Sequence, residues 1–382
     1  MSVDSDLLHH FESSLSQSVA LLKQMVECES HSLDKSGVDA FADFLAREFA
    51  ARGARTRILR EPVRGNLLEC SWNSGSAAKP ILVIGHLDTV WPPGSIAARP
   101  FRLEQGKAYG PGVFDMKAGL LISLLACGAL QNRKAGVAGN VVFLFTSDEE
   151  LGTEAGLPHL RQAAGRCRAV LCLEPPLSGG RAKTFRKGVG TFQIIVRGVA
   201  AHAGGDYEKG ANAIVEFCGL AIQLQGMTDL GRGITVSVGT IRGGTASNVV
   251  PDRAEAEVDF RVATVADGLR IEEQVRALRP SDPRCTLEVR GGLNRPPLER
   301  TQAVVDLYQK ARAVAARAGW DLGEGSTGGG SDGSFTAAMG IPTLDGLGCA
   351  GDGAHALSEH IEVADIPRRA VFLCRLLQAL IE

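Results

Sequence analysis

The sequence predicts an α/β protein with a mixed sheet flanked by helices, and a smaller, ferredoxin-like α+β domain inserted into it. Continuous Ile, Val and Leu runs of strand length alternate with helical segments, as in a sheet buried on both faces. Near Val189 the hydrophobic pattern changes, and the predicted strands begin to alternate apolar and polar residues. The length of 382 residues also exceeds the about 250–300 at which a single core stops growing.

Helices and buried strands alternate through the first half of the chain. Apolar residues at helical spacing predict helices over 6–26 and 37–52, and a third helix over Lys117–Gln131. Apolar runs bounded by turn residues predict three strands, at Ile81–Ile84, Val141–Phe145 and Val170–Leu173.

The second half contains the inserted domain, after which the α/β pattern of alternating helices and strands resumes. Between 188 and 291 the pattern is strand-helix-strand-strand-helix-strand, which is typical of a ferredoxin-like sandwich. After Gly292 a helix, a glycine-rich loop, a strand at Ile341–Leu347 and a closing helix follow. We therefore expect one domain from 1–187 together with 292–382, and a second from 188–291.

Charge and cysteine content limit the partners and the compartment. The formal net charge is −2, so neither nucleic acid nor an anionic membrane is expected as a partner, because both select a basic surface. The amino-terminal stretch lacks the pattern of a signal peptide, and no apolar run approaches the ~20 residues that span a bilayer. The nine cysteines form no C-x-x-C pair, so we expect a reduced, cytoplasmic protein.

Polar side chains follow each of the three predicted strands. His86 and Asp88 come after the first strand, Glu149 and Glu150 after the second, and Glu174 after the third. In open α/β sheets the carboxyl edge of the strands is where ligands bind. We therefore expect these side chains to lie close together.

Two further residues fall in turns that belong to the same edge. Asp115 lies in the glycine-rich turn YGPGVFDMKAG, and His355 follows the last strand. Burying several carboxylates together is costly unless cations neutralise them. Histidine and carboxylate ligands favour zinc, with manganese or cobalt as substitutes. The sequence thus predicts a site for one or two divalent cations.

Taken together, the motifs resemble those of the dizinc peptidases of the M20 family, and most of all its glutamate carboxypeptidase branch. They are, in chain order, HLDTV, GPGVFDMKAG, TSDEELGT, the Glu174-Pro175 pair, AHAG and the late His355. The resemblance runs from His86 to the carboxyl terminus, and it implies the inserted-domain layout with dimerisation through the inserted domain.

The resemblance also implies which residues bind metal. Asp115 would bridge two zinc ions, one of which is completed by His86 and Glu174 and the other by Glu150 and His355. Asp88 would accept the free ring N–H of His86 and so fix its tautomer.

Amide hydrolysis is the reaction that the resemblance implies. Glu149 would act as general base toward a metal-bridging hydroxide and would return the proton to the leaving amine. His202, in the AHAG segment, would stabilise the oxyanion from across a dimer interface.

Substrate binding would fall to polar and cationic residues, and an acidic leaving group is implied by the extra cations. Arg261 matches the carboxylate-binding Arg of the family. Asn248 matches a companion polar residue, and Lys183 and Arg295 match two further cations near the substrate. Gly329 and Gly330 belong to a glycine-rich loop whose backbone can approach the ligand closely.

Three functions remain open at this point. The first is a carboxypeptidase that releases a C-terminal amino acid, glutamate above all, from an acyl or peptide-like substrate. The second is an N-acyl amino-acid deacylase or deacetylase with the same zinc site and a different leaving group. The third, a catalytically silent binding protein, would have lost Glu149 or a ligand, and none is missing.

Overall fold

The computed structural model describes residues 3–73, 76–132 and 140–381. Its helices are α1 Val3–Ser13, α2 Leu15–Glu27, α3 Lys35–Ala51, α4 Ser95–Ala98, α5 Ala118–Asn132, α6 Leu157–Gly165, α7 Ala213–Gln225, α8 Val265–Ala277, α9 Gln302–Arg317, α10 Asp332–Ala338 and α11 Asp365–Ile381. Its strands are β1 Arg55–Leu59, β2 Leu67–Asn73, β3 Ile81–His86, β4 Arg102–Glu104, β5 Lys107–Tyr109, β6 Asn140–Thr146, β7 Ala169–Cys172, β8 Ala182–Arg186, β9 Gly188–Arg197, β10 Ala201–His202, β11 Thr235–Gly243, β12 Val249–Val250, β13 Arg253–Val262, β14 Thr286–Arg295, β15 Glu324–Thr327, β16 Thr343–Leu344, β17 Gly351–Asp352 and β18 His360–Glu362.

The chain divides into two compact units. The first consists of Met1–Phe185, Arg300–Ser326 and Ser331–Glu382, and the second of Arg186–Glu299 and Thr327–Gly330.

The second unit is longer than the inserted domain predicted at 188–291. Its last strand continues to Arg295, which pairs with Val189, so the chain stays in this unit past 291. Thr327 joins it because its carbonyl accepts a hydrogen bond from the backbone N–H of Lys187 at 3.1 Å.

The first unit is built on a six-stranded mixed sheet in the order β1-β2-β6-β3-β7-β16, which confirms the predicted fold class. Strands β6, β3, β7 and β16 are parallel, whereas β1 and β2 run antiparallel to their neighbours. The register pairs His86 at the end of β3 with Thr146 at the end of β6. The parallel strands therefore end together at one edge of the sheet.

One helix of the first unit is unusually apolar. The 18-residue stretch Val113–Leu130 is long and apolar enough to cross a membrane by length and composition, which corrects our expectation that no run approaches that length. In the structure 83% of this stretch is buried inside the protein. Its helix, α5, packs against α11, as a core helix of a globular domain does.

The second unit has a four-stranded antiparallel sheet in the order β11-β13-β9-β14. Helices α7 and α8 pack on it, and the elements run β9-α7-β11-β13-α8-β14. This is the connectivity of a ferredoxin-like sandwich. It has its own core, in which Phe192 and Phe260 stack with ring centroids 5.0 Å apart.

Two predicted elements differ from the structure. The helix predicted over 6–26 is broken at Ser14, whose φ of −101° and ψ of 9° depart from helical values while its hydroxyl donates to the carbonyl of His10 at 2.9 Å. The strand predicted at Ile341–Leu347 shortens to Thr343–Leu344, because the backbone of Asp345 pairs instead with Lys183.

Candidate metal centre

Side chains from four segments of the first unit converge at the carboxyl edge of its sheet. His86 is the last residue of β3, and Glu149 begins a short 3₁₀ helix that follows β6. Glu174 follows β7, and Asp115 lies in the turn before α5. The parallel arrangement of these strands thus brings together residues that are 88 positions apart, as the sequence predicted from their strand-end positions.

Asp115 lies between two histidines. Its Oδ1 is 3.1 Å from Nε2 of His86, and its Oδ2 is 3.4 Å from Nε2 of His355. The two oxygens of one carboxylate therefore face one imidazole each. His86 is buried, whereas the His355 side chain is 50% exposed, so the cluster opens to solvent on the His355 side.

The glutamates complete the two ends of this arrangement. Oε1 of Glu150 is 3.1 Å from Nε2 of His355, and Oε1 of Glu174 is 3.5 Å from Nε2 of His86. Candidate ligand atoms of His86, Glu149 and Glu174 all lie within 4.8 Å of one another, and the same holds for His86, Asp115 and Glu150. Glu149 is thus inside the cluster and close to the His86 end.

The electrostatics of the centre are those of paired opposite charges. Burial alone would lower the pKa of His86, but hydrogen bonds to Asp115 and Asp88 raise it well above its usual value. Hydrogen bonds to Asp115 and Glu150 raise the pKa of His355 to about 10. Burial opposes the ionisation of Asp115, yet its hydrogen bonds to both histidines hold its pKa below the usual range.

Backbone geometry at His355 is unusual. This residue has φ of +63°, in the left-handed region that non-glycine residues rarely adopt. Such strain is retained where the surrounding structure requires it, and it concentrates at functional sites. Here it accompanies an imidazole that points at two carboxylates.

Asp88 differs in detail from the expectation that its carboxylate accepts the ring N–H of His86. The nearest acceptor of His86 Nδ1 is the backbone carbonyl of Asp88 at 2.8 Å, while the carboxylate Oδ1 is 3.5 Å away. The carboxylate instead accepts from the backbone N–H of Glu149 and of Glu150, both at 3.2 Å, and from the hydroxyl of Ser32 at 2.7 Å. Asp88 therefore holds the backbone that carries both glutamates.

The donor set fits divalent cations. It consists of imidazole nitrogens and carboxylate oxygens, which suit zinc and, with less preference, manganese or cobalt. Four carboxylates at one sheet edge would repel one another, and cations between them remove that cost. Because each oxygen of Asp115 faces a different histidine, this carboxylate could be shared by two ions.

Sequence reasoning missed buried carboxylates that support the centre. Asp332 accepts from the hydroxyls of Thr146 at 2.6 Å and Thr153 at 2.5 Å, and so ties the end of β6 to the segment after Glu149. Asp148 accepts from the backbone N–H of Ala155 at 2.7 Å, and burial raises its pKa to about 6. Glu359 is a third such residue. Asp148 lies in the acidic run TSDEEL, Asp332 in a glycine-rich segment and Glu359 in the polar stretch LSEHIE, so no shared local pattern marks them.

The second unit carries the predicted oxyanion residue, His202, on a short strand, β10, which pairs with β12. Its side chain is exposed, and Nδ1 accepts from the backbone N–H of Gly204 at 3.1 Å and of Gly205 at 3.0 Å. Because Nδ1 accepts, the proton of the neutral ring lies on Nε2. Asn248 lies beside this segment, and its carbonyl accepts from the N–H of Ala203 at 2.9 Å.

Arg261 lies on β13 of the second unit and is held by a neighbouring carboxylate. Its Nε and Nη2 both donate to Asp259, at 2.9 and 2.8 Å, as a planar fork. Its Nη1 donates to the carbonyl of Gly328 at 3.3 Å. The guanidinium is thus oriented toward the glycine-rich loop 327–330.

Two more arginines meet the same loop of the second unit. Arg186, which the sequence did not single out, donates through Nη1 to the carbonyls of Gly329 at 3.2 Å and Gly330 at 2.7 Å. A Cβ at Gly330 would lie 2.8 Å from Cδ of Arg295, so a side chain at this position would displace the Arg295 side chain. Lys183, the remaining predicted cation, lies in the first unit, where it is 8% exposed.

Comparisons with known proteins agree with this architecture. The sequence profile of peptidase family M20/M25/M40 matches residues 82–379. Carboxypeptidase G2 of Pseudomonas sp. strain RS-16 is 30% identical over 371 residues, which cover 95% of this chain and 89% of that protein. Succinyl-diaminopimelate desuccinylase of Nitrosococcus oceani is 28% identical over 386 residues, with 96% of this chain and all of that protein covered.

A solved structure shares the fold. The Bacillus subtilis YXEP protein, described as a dinuclear metal-binding peptidase of the M20 family, superposes with a TM-score of 0.71 at 16% identity. The alignment covers 97% of this chain and 99% of that one.

Proposed function

The chain belongs to peptidase family M20/M25/M40 and is a metal-dependent amide hydrolase, and we propose that it releases C-terminal glutamate from N-acyl or peptide-like substrates through a two-zinc centre. The observation that carries this proposal is Asp115, whose two oxygens face His86 and His355. A carboxylate in that position suits a pair of ions better than a single one.

Five residues would hold the two cations. Asp115 would be shared, with His86 and Glu174 at one ion and Glu150 and His355 at the other. When bound, the cations supply Lewis acidity that acidifies a water and polarises the amide carbonyl.

Glu149 is the proton carrier in this proposal. Its carboxylate takes a proton from the attacking water and returns it to the nitrogen of the leaving amine. The hydrogen bond from its backbone N–H to Asp88 fixes the main chain at this point, which supports a precise position for the carboxylate. Glu150, one residue further, remains free to bind metal because the two side chains leave the 3₁₀ helix in different directions.

His202 would donate to the oxyanion that forms on the amide carbonyl. The hydrogen bonds from Gly204 and Gly205 to Nδ1 leave the ring proton on Nε2, which is the tautomer that a neutral donor needs. In the M20 family this histidine reaches across a dimer interface, and we extend the same arrangement to this chain.

A homodimer is supported by the surface of the second unit. Strand β11 is an edge of the four-stranded sheet, and Ile241 on it is 51% exposed. On α7, Val215 and Ile222 are 66% and 75% exposed. Edge strands and apolar helix faces are ordinarily covered, and a second copy of this chain would cover both.

The free thiols of all nine cysteines support a reducing, cytoplasmic setting.

The His202→Ala variant tests both the oxyanion role and the dimer. We expect kcat to fall ~10²–10³-fold, as for other oxyanion donors, with little change in metal content. Mixing this variant with Glu149→Gln should restore activity, because in a mixed dimer the second variant supplies His202 to a centre that keeps Glu149.

The control for this experiment is Lys209→Ala, which alters an exposed side chain of the same loop and should behave as wild type. An unchanged kcat in His202→Ala removes the oxyanion role. A mixture that stays inactive although subunits exchange shows that the histidine does not act between copies.

Glutamate as the leaving group is supported by the cations of the chain. Arg186, Arg261 and Arg295 surround one glycine-rich loop of the second unit, and guanidinium groups bind carboxylates in a bidentate manner. Asp259 holds the Arg261 guanidinium by two hydrogen bonds and so fixes its orientation within this group. The similarity to carboxypeptidase G2 of Pseudomonas sp. also supports a carboxypeptidase reaction.

A matched substrate panel tests the specificity. One acyl group is joined in turn to Glu, Asp, Ala, Leu and Arg, and kcat/KM is measured for each with zinc-loaded enzyme. We expect a clear preference for Glu, because guanidinium groups bind a second carboxylate and offer a neutral side chain no equivalent contact. A flat profile would keep the hydrolase and remove the glutamate specificity.

The second candidate function is N-acyl amino-acid deacylation. It is favoured by the similarity to succinyl-diaminopimelate desuccinylases, of which the Nitrosococcus oceani protein is one. Activity on N-acetyl or N-succinyl amino acids, without a preference for glutamate as the leaving group, would support this candidate over the carboxypeptidase.

A further inference from the structure

Glu359 is a fully buried carboxylate to which the proposed mechanism gives no task. It is 0% exposed and lies directly before β18, four positions after His355. Burying a carboxylate is costly unless hydrogen bonds compensate it. The partners of this side chain therefore indicate what it does.

Four hydrogen-bond donors meet the two oxygens of Glu359. Oε1 accepts from the backbone N–H of Phe114 at 3.0 Å and of Asp115 at 3.1 Å. Oε2 accepts from the backbone N–H of Gly112 at 3.0 Å and from Nε1 of Trp91 at 2.7 Å. With both oxygens engaged in this way, the side chain serves as an anchor for the turn 112–115 rather than as a metal ligand.

The turn needs such an anchor. Asp115 has φ of −115° and ψ of 91°, outside the helical region, and the regular helix begins only at Ala118. Gly112 has φ of +69°, a left-handed conformation that glycine adopts without strain, and a Cβ there would lie 2.6 Å from Cγ2 of Thr89. Glu359 satisfies the N–H groups of three residues in this turn.

The same anchor reaches the loop that carries His355. The guanidinium of Arg99 stacks over the Trp91 ring at 4.1 Å and donates to the carbonyl of Leu357 at 2.9 Å. Leu357 and Glu359 lie in the segment between His355 and β18. Two contacts on Trp91 thus fix this segment, and the hydrogen bonds of Glu359 tie it to the turn of Asp115.

We propose that Glu359 is a positioning residue of the metal centre, which holds Asp115 opposite His355 and thereby sets the affinity for the cation that these two share with Glu150. The inference rests on the proposed function, because it requires that the centre bind metal. His86 and Glu174 come from β3 and from the segment after β7, outside the turn and the loop that Glu359 ties together, so the other ion depends on it only through Asp115.

The Glu359→Gln variant tests this proposal. Its amide places an N–H₂ group against backbone donors, which displaces the turn while the side-chain volume is kept. Metal-free protein is titrated with Zn²⁺ by calorimetry and with Co²⁺ by visible absorption. We expect one of the two ions to bind about 10–100-fold more weakly, with an altered cobalt spectrum, and the other ion to change much less.

The readouts separate positioning from general stability. A purely structural role would lower the melting temperature of the metal-free protein and leave both affinities and the cobalt spectrum unchanged, which would overturn the proposal. The matched control is Glu362→Gln on β18, whose carboxylate is 47% exposed, pairs with Lys107 at 3.5 Å and should leave metal binding unchanged.

A second variant covers the case in which Glu359→Gln does not fold. Trp91→Phe removes one donor to Glu359 and keeps the three backbone donors, so we expect a smaller loss at the same ion. Wild-type affinity for both ions in Trp91→Phe would then overturn the proposal. A wild-type chain that binds no divalent ion would instead overturn the proposed function itself, so the two failures are distinguishable.

Discussion

The Glu149→Gln variant is expected to lose turnover and to keep its metal. The amide has the shape of the carboxylate but cannot accept a proton from water, so general acid–base catalysis is lost, which is worth ~10²–10⁴-fold in rate. Metal content should persist because Asp115 and four other residues supply the ligands in our proposal. The measurement is kcat together with metal analysis of the same preparation.

Glu149 lies close enough to His86 and Glu174 to be a ligand by distance alone, so the metal analysis is essential. Loss of an ion in Glu149→Gln would assign the side chain to metal binding, and a wild-type rate would remove it from catalysis. The matched control is Glu154→Gln, an exposed carboxylate shortly after the same turn, which should leave both quantities unchanged.

The positions of the strand-end residues could be predicted from the sequence. Parallel strands share one carboxyl edge, so a His or Glu after each apolar run, such as His86 and Glu174, must fall there. Asp115 and His355 could be assigned to the same edge because one lies in a glycine-rich turn before a helix and the other follows the last strand. The structure brings each of these four side chains within 3.5 Å of another of the four.

Two of the supporting carboxylates, Asp332 and Glu359, could not be predicted, because their partners are distant in sequence. Asp332 binds a hydroxyl 186 positions away, and Glu359 binds backbone N–H groups 244 to 247 positions away. No local pattern marks a side chain whose acceptors are used by a remote turn. The partners of Asp88 were predicted wrongly for the same reason. His86 is two residues away in sequence, whereas the backbone N–H groups of Glu149 and Glu150, which bind the carboxylate, are more than 60 residues away.

The domain limits also required tertiary information. Alternating strands indicated the second unit, but its full length depends on the pairing of Arg295 with Val189 and on the return of loop 327–330. Arg186 was missed because it reads as one more cation at the end of a strand. Only the structure shows that it binds the carbonyls of Gly329 and Gly330.

Removal of the metal ions is expected to abolish the activity completely. Without cations, no residue of the centre can acidify water or polarise an amide to the same extent, and the carboxylates around Asp115 would repel the oxyanion that forms on the amide carbonyl. Ions that bind only the folded state should also raise the melting temperature when they return.

The most direct test therefore titrates chelator-treated enzyme with Zn²⁺ while hydrolysis of an acyl-glutamate and bound metal are followed together. The account predicts background activity in the metal-free protein and full activity as the bound metal reaches two ions per chain. Saturation at a single ion would contradict the bridging role of Asp115. Wild-type hydrolysis by the metal-free protein would contradict the metal centre as the site of the reaction.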